Sequence, residues 1–346
     1  MTLLSPGNPA WLNAWSCSHH PEVFAHPAYA ALFEDEKTLA RAFLWEGTEG
    51  SIIYPFLLRD LQGEPFWQPE LGEAYDIITP YGYGGPVVVA GKPSQELYRR
   101  FFAALEHWAT QNKVVSEFVR FSLFDQAPLA YYGLVQHQND NIVVDLTLSH
   151  EDLWKGFRHK VRKNVHAALS AGITIEEDPA GERMSGFLEV YQHTLKRRNA
   201  AKQYFKPVGF FNKLTRTLAQ HIMFFHAISG KKVVASELVL LSDSRIYSYM
   251  GGTLCQNYQQ RPGDLLKYHI VKWARRQGYK QFVIGGGHKP HDGIFAFKQA
   301  FAPTGIYPFF TGKKVFDHAV YKQLVKHPTE KDDFFPEYRL GDYSPI

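Results

Sequence analysis

The run Val233-Val234-Ala235-Ser236-Glu237-Leu238-Val239-Leu240-Leu241-Ser242-Asp243-Ser244-Arg245-Ile246-Tyr247-Ser248-Tyr249-Met250-Gly251-Gly252-Thr253 decides the fold. Two stretches rich in Val, Leu, Ile and Tyr flank Ser242-Asp243-Ser244, which reads as strand, turn, strand. Residues 223–228 have the same character and end at Ser229-Gly230, so a three-stranded antiparallel meander is predicted. The period then changes from two to 3.6. Pro262 opens a helix reaching Gln277, with Leu265, Leu266, His269, Ile270, Trp273 and Ala274 on its apolar face, and Gly278 stops it. Residues 281–284 form a short buried strand that ends at Gly285-Gly286-Gly287.

Upstream of this run, Ser149 is a predicted N-cap. The helix after it carries Leu153, Phe157, Val161 and Val165 at four-residue steps and closes at Gly172. Further helices are predicted over 182–198 and 208–221. The first part reads as mixed: strands at 41–45 and 51–59, a Gly/Tyr/Pro stretch from Thr79 to Pro86, a helix capped by Ser94, then strands at 114–123 and 141–146. The class is α/β (α+β), with mixed sheets flanked by helices. Both parts run through paired strands, helix and strand, which suggests a duplicated module. The pattern change places a boundary at 147/148.

Composition narrows the class. Across 346 residues, 45% are hydrophobic and 21% charged, which suits a folded core and excludes a disordered chain. A net charge of +4 is too small to indicate nucleic acid by itself. Cys17 and Cys255 are the two cysteines, so a disulfide scaffold is excluded and a reducing compartment is expected. No apolar run reaches the ~20 residues of a membrane span. Residues 1–10 lack the basic and apolar regions of a signal peptide, so a cytoplasmic location is expected.

Several segments, taken in order, resemble a known group. They are Trp154-Lys155-Gly156-Phe157-Arg158-His159-Lys160-Val161-Arg162-Lys163, Tyr191 with Lys196-Arg197-Arg198-Asn199, Ala235-Ser236-Glu237-Leu238, Tyr249-Met250-Gly251-Gly252, the helix after Pro262, Gly285-Gly286-Gly287, and Phe297-Lys298-Gln299-Ala300-Phe301. Together they resemble the Fem-type aminoacyltransferases and their GNAT-like relatives. The resemblance covers about residues 145–310. It implies two GNAT-like modules, 1–147 and 148–317, with 318–346 packing back on the first. It implies amide formation by transfer from aminoacyl-tRNA to a small amine or a peptidoglycan precursor. The amine attacks directly, with no covalent enzyme intermediate, no bound cofactor and no DNA partner.

Candidate residues follow. The resemblance puts Phe297-Lys298 at the reacting end of the acceptor cleft. Amine attack on an ester builds negative charge on the carbonyl oxygen, which a fixed Lys298 ammonium stabilises. Tyr247 and Tyr249 alternate on one face of their strand, and Tyr249 is placed to align the amine or relay its proton. Glu237, mid-strand, is a candidate general base. Tyr81, Tyr83, Tyr191 and Arg198 are candidate substrate contacts. Lys155, Arg158, Arg162 and Lys163 share a predicted helix face with His159 and His166, which suits phosphates of tRNA or coenzyme A.

Other motifs are weaker. Ordinary GNAT enzymes hold pyrophosphate in a Q/R-x-x-G-x-G/A loop. The corresponding Gln260-Arg261-Pro262-Gly263-Asp264-Leu265 ends in Leu, and Pro262 removes an amide donor, which counts against acetyl-CoA. Tyr83-Gly84-Gly85-Pro86 lacks the arginine expected of cell-wall enzymes. His288-Lys289-Pro290-His291-Asp292 is read as a substrate contact and not as a metal site. No sequence pattern gives Cys255 a histidine partner, so a thiol nucleophile is not expected. Two alternatives stand beside the leading reading: an acyl-CoA N-acyltransferase of sugar or secondary-metabolite synthesis, and a non-catalytic RNA- or ligand-binding module.

Overall fold

The computed structural model describes residues 1–289, 292–325 and 334–340. The chain divides into two compact units. One comprises Met1–Gln138 with the described residues from Phe309 onward, and the other is Asn139–Pro308.

In the first unit, β1 (Thr2–Leu4) leads into α1 (Pro9–Ser16) and the short α2 (Pro27–Ala30). The paired strands follow as β2 (Thr38–Gly47) and β3 (Gly50–Asp60), then β4 (Tyr75–Ile78), β5 (Val87–Gly91), α3 (Gln95–Gln111) and β6 (Val114–Arg120). β1, β2 and β3 pair antiparallel in turn. β3 also pairs with β4 and with β5, and β4 runs parallel to β6. Ser94 caps α3 as its sequence predicts, accepting the Leu97 amide at 3.1 Å. The buried stripe Leu97, Phe101 and Leu105 packs with Phe43, Tyr54 and Phe56 of the sheet.

The second unit opens with the end of β7 (Leu134–Asp145). It continues through α4 (His150–Gly156), α5 (His159–Ser170), β8 (Thr174–Asp178), α6 (Met184–Arg197) and α7 (Val208–Thr217). The predicted meander is β9 (Ile222–Ser229), β10 (Lys232–Leu241) and β11 (Arg245–Thr253). Then come α8 (Pro262–Arg276), β12 (Gln281–Gly285) and α9 (Gly293–Gln299). The sheet order is β8, β9, β10, β11, β12 and the end of β7. β11 and β12 are parallel, joined by the α8 crossover, and the other pairs named are antiparallel. Val161 and Val165 of α5 and Ile270 and Trp273 of α8 pack on one face, against Phe225, Val239 and Phe282. On the other face the Phe187 ring of α6 meets Phe211 of α7 and Phe224 of β9. Fully burying such a side chain stabilises by about 1.5–3 kcal/mol. The chain then returns to the first unit with the end of β13 (Ile306–Val315), antiparallel to β6, and with α10 (His318–Leu324).

Two expectations change. The pattern boundary at 147/148 falls at 138/139 in the compact units, because the second half of β7 pairs with β12. The helix predicted from Ser149 to Gly172 is two helices. Phe157 and Arg158 take extended ψ values of 143° and 146° between them. Phe157 is buried against Trp154, Tyr268 and Phe301, and that anchoring turns the chain. Among the described residues no helix is long and apolar enough to cross a membrane.

Candidate active site

β11 and β12 pair only from Arg245 opposite Gln281 to Tyr247 opposite Val283. Beyond that point β11 carries a β-bulge: Val239 faces Ser248 and Leu238 faces Met250, with Tyr249 as the inserted residue. A cavity of about 550 Å³ lies at this bulge, lined entirely by the second unit. Ser236, Glu237 and residues 248–253 form its sheet side. Thr194, Arg197 and Arg198 at the end of α6 form one wall, the start of α8 another, and Phe297 and Lys298 of α9 a third. The two β11 glycines are required by close approach. A Cβ on Gly251 would sit 2.3 Å from the Ser236 carbonyl oxygen, and one on Gly252 would sit 2.0 Å from Thr194 Oγ1.

The charges in the cavity are arranged as follows. Lys298 Nζ donates to the Gly286 carbonyl at 2.7 Å. Burial, and then the neighbouring Lys267 cation, lower its pKa to about 8, against the pull of Glu237 and Asp292. Asp292 positions this segment. Its carboxylate accepts the amides of His288, Lys289, Ile294 and Phe295 at 2.8–3.2 Å, capping α9 and fixing the turn before Phe297. Burial alone would raise the Asp292 pKa, and these four bonds bring it below the usual range.

Glu237, expected as a general base, is instead held in a buried ion pair. Lys267 Nζ donates to its two carboxylate oxygens at 2.5 and 2.6 Å, and to Ser248 Oγ at 3.1 Å. Burial lowers the Lys267 pKa against the attraction of Glu237. The sequence reading missed Lys267. The available signal was its place on the buried stripe of α8, four and seven residues before Val271 and Ala274.

Lys298, Tyr249, Glu237, Phe297 and Arg198 therefore line one cavity. Tyr247 does not; it is buried, because the bulge interrupts the alternation that would have paired it with Tyr249. Tyr191 is a core residue whose hydroxyl donates to the Tyr204 carbonyl at 2.7 Å and whose ring stacks on Phe187. Tyr81 and Tyr83 belong to the first unit, where Tyr83 lies edge-on to Phe24 and Phe309.

The basic face is divided by the break before α5. Lys155 is on α4 and pairs with Glu151 at 2.6 Å. Arg158 precedes α5 and reaches Gln299 at 3.5 Å. Arg162 is committed to the carbonyls of Trp154, Lys155 and Phe157 at the end of α4. Lys163 is exposed on α5. The cavity instead carries Arg197, Arg198 and Arg261, and Arg197 lies over the Tyr258 ring at 5.3 Å.

Two further segments bear on the sequence reading. Cys255 Sγ lies 3.5 Å from His193 Nε2, a partner no motif reveals. Pro290 and His291 lie outside the described residues.

The meander with its bulged β11, the crossover helix α8 and the residues lining the cavity fall within one family match. Residues 155–298 match the GNAT acetyltransferase domain family. The second unit is a GNAT acyltransferase domain. The protein is accordingly an acyltransferase, and solved structures extend the fold to the whole chain. FemX covers 93% of it and is itself 99% covered, with a TM-score of 0.67 at 13% identity. A tandem GNAT protein from the clavulanic acid biosynthesis pathway covers 90%, is 97% covered, and gives a TM-score of 0.53 at 11% identity. L-PGS from Bacillus licheniformis covers 90%, is 93% covered, and gives 0.52 at 12% identity. No curated protein matches the chain. The chain thus has the Fem-type, tandem-GNAT fold, and its cavity lies in the second GNAT unit.

Proposed function

We propose that this GNAT unit forms an amide by passing an aminoacyl group from aminoacyl-tRNA to a small amine. The observation that carries the reading is Lys298, a cation fixed by Gly286 in a cavity of about 550 Å³. A space of that size takes the end of a donor and a small acceptor. As the amine attacks the ester carbonyl, charge grows on the oxygen, and the Lys298 ammonium stabilises it more than it stabilises the neutral ester. An amide is more stable than an ester, so the step needs no other energy source.

The donor preference rests on the start of α8. Pro262 provides no amide there, Arg261 takes a left-handed φ of 56°, and Asp264 lines the same cavity wall. Burial raises the Asp264 pKa, and Asn164 donates to it at 3.1 Å. A helix N-terminus with an acid and no first amide is poorly suited to a pyrophosphate. Tyr258 under Arg197, together with exposed Phe297, suits the base and phosphate of a terminal nucleotide. The reading assigns phosphate contact to Arg197, Arg198 and Arg261, and places the protein in the cytoplasm, where charged tRNA is found.

The acyl-CoA reading draws on the acetyltransferase family match. One experiment separates the two. Charged tRNA or acetyl-CoA is offered with a set of amines, with and without ribonuclease, and products are followed by mass spectrometry. Product lost to ribonuclease is expected. Product that survives ribonuclease and requires the thioester would overturn the tRNA reading.

A further inference from the structure

The attacking amine must lose a proton, and Glu237 is engaged on both oxygens by Lys267. A second line of groups runs from the cavity wall across β10, β9 and β8. Ser236, part of the cavity wall, has its Oγ 2.9 Å from His226 Nδ1 on the neighbouring strand β9. His226 Nε2 lies 3.1 Å from Asp178 Oδ2 on β8. Strand register builds this line, since Ser236 faces His226 across β10 and β9.

The proton positions follow from the partners. Asp178 accepts the Glu182 and Arg183 amides at 2.9 Å each, so it is held as a carboxylate and only accepts. His226 Nε2 therefore carries the hydrogen. Burial lowers the His226 pKa, while Asp178 and Glu176 pull it up and Arg183 pulls it down, so the neutral ring leaves Nδ1 as an acceptor. The Ser236 hydroxyl then donates to Nδ1, which is nearer than its other acceptor, the Phe225 carbonyl at 3.2 Å. All three side chains are nine-tenths or more buried, so the line is shielded from water.

We propose that Ser236 is a catalytic residue that takes the proton of the acceptor amine and relays it to His226, with Asp178 as the positioning residue for the imidazole. This rests on the acyl-transfer reading of the cavity. As the C–N bond forms, an amine proton passes to Ser236 Oγ and the serine proton passes to Nδ1. The imidazolium is held against Asp178. As the ester C–O bond breaks, the same proton returns through Ser236 to the leaving oxygen, so the cycle gains and loses no proton.

The test uses the full chain with Ser236→Ala and His226→Gln, and whichever donor and amine give product in the mass-spectrometric assay. General acid–base groups contribute about 10²–10⁴-fold, so Ser236→Ala should lower kcat/KM on that scale. Its pH profile should also lose the acid limb that His226 protonation gives the wild type. The ionisation of the amine is common to both proteins and divides out of their ratio. A Ser236→Ala enzyme within about twofold of wild type at every pH would overturn the relay and leave the acyl-transfer reading intact. ¹⁵N NMR of the His226 ring provides a readout that needs no substrate. A neutral ring protonated at Nε2 is expected, and protonation at Nδ1 overturns the relay with any donor. Should neither donor give product, the acyl-transfer reading fails and the relay falls with it, whereas Nδ1 protonation overturns the relay alone. Thermal melts of Ser236→Ala, which removes one oxygen, confirm that the fold is retained.

Discussion

Under the proposed function Lys298 stabilises the oxyanion, and its environment then sets a pH dependence. Its pKa is lowered to about 8. The charged form is the one that stabilises an oxyanion, so its contribution is present below that value and is lost as pH rises through it. A fall in kcat above about pH 8 is expected, and Lys298→Arg should move that limb upward because a guanidinium stays charged. Lys298→Ala should lower kcat about 10²–10³-fold with little change in KM, read by steady-state kinetics. Lys298, Tyr249 and Arg198, candidates in the sequence, line the same cavity. The sequence also named Tyr191, whose hydroxyl is committed to Tyr204 inside the core. A tyrosine on a helical stripe has the same spacing in either role, so only its hydrogen-bond partner distinguishes them.

At the scale of elements, the cavity depends on β10, β11 and α8 acting together. Glu237→Gln leaves Lys267 buried without its counter-ion, and breaking a buried pair costs about 3–5 kcal/mol. Urea unfolding should show that loss, and Glu237→Gln combined with Lys267→Met should recover much of it. Gly251→Ala should cost about 1–3 kcal/mol and close the cavity, because its Cβ would meet the backbone of β10. Helix and strand positions in this unit were largely legible, since period and caps are local. The bulge at Tyr249 was not. The run 245–253 alternates regularly in sequence, and the interruption arises from how β11 meets β10 while parting from β12.

At the scale of the whole molecule, a buried charge network among the described residues lies in the first unit, away from any motif. Arg59 Nε and Arg339 Nε donate to opposite oxygens of Asp76 at 2.6 and 2.8 Å, and the Tyr338 hydroxyl donates at 3.0 Å. Tyr338 Oη also lies 2.8 Å from Ser116 Oγ, so the segment before residue 341 is tied to β4 and β6. Burial alone would raise the Asp76 pKa, and the Arg339 and Arg59 cations bring it below the usual value. The sign follows from linkage. This stabilisation is fully present above the unfolded carboxylate pKa of about 3.9 and is lost as pH falls through the lower folded value. Thermal melts should therefore show acid destabilisation that Asp76→Asn lacks, with Asp76→Asn itself less stable at neutral pH by about 3–5 kcal/mol.

Sequence by itself determined what depends on neighbours along the chain. The meander, the α8 crossover, the caps at Ser94 and Ser149 and the order of modules follow from periodicity and local hydrogen bonding. Tertiary structure decided which charges meet. Lys267 lies 30 residues from Glu237, Ser236 is 10 from His226 and His226 is 48 from Asp178. Each pair is created by strand register or helix packing and leaves no spacing rule to read. The basic residues show the same division. Their periodicity predicted one face, yet burial of Phe157 broke the helix, and the arginines that reach the cavity come from α6 and the turn before α8.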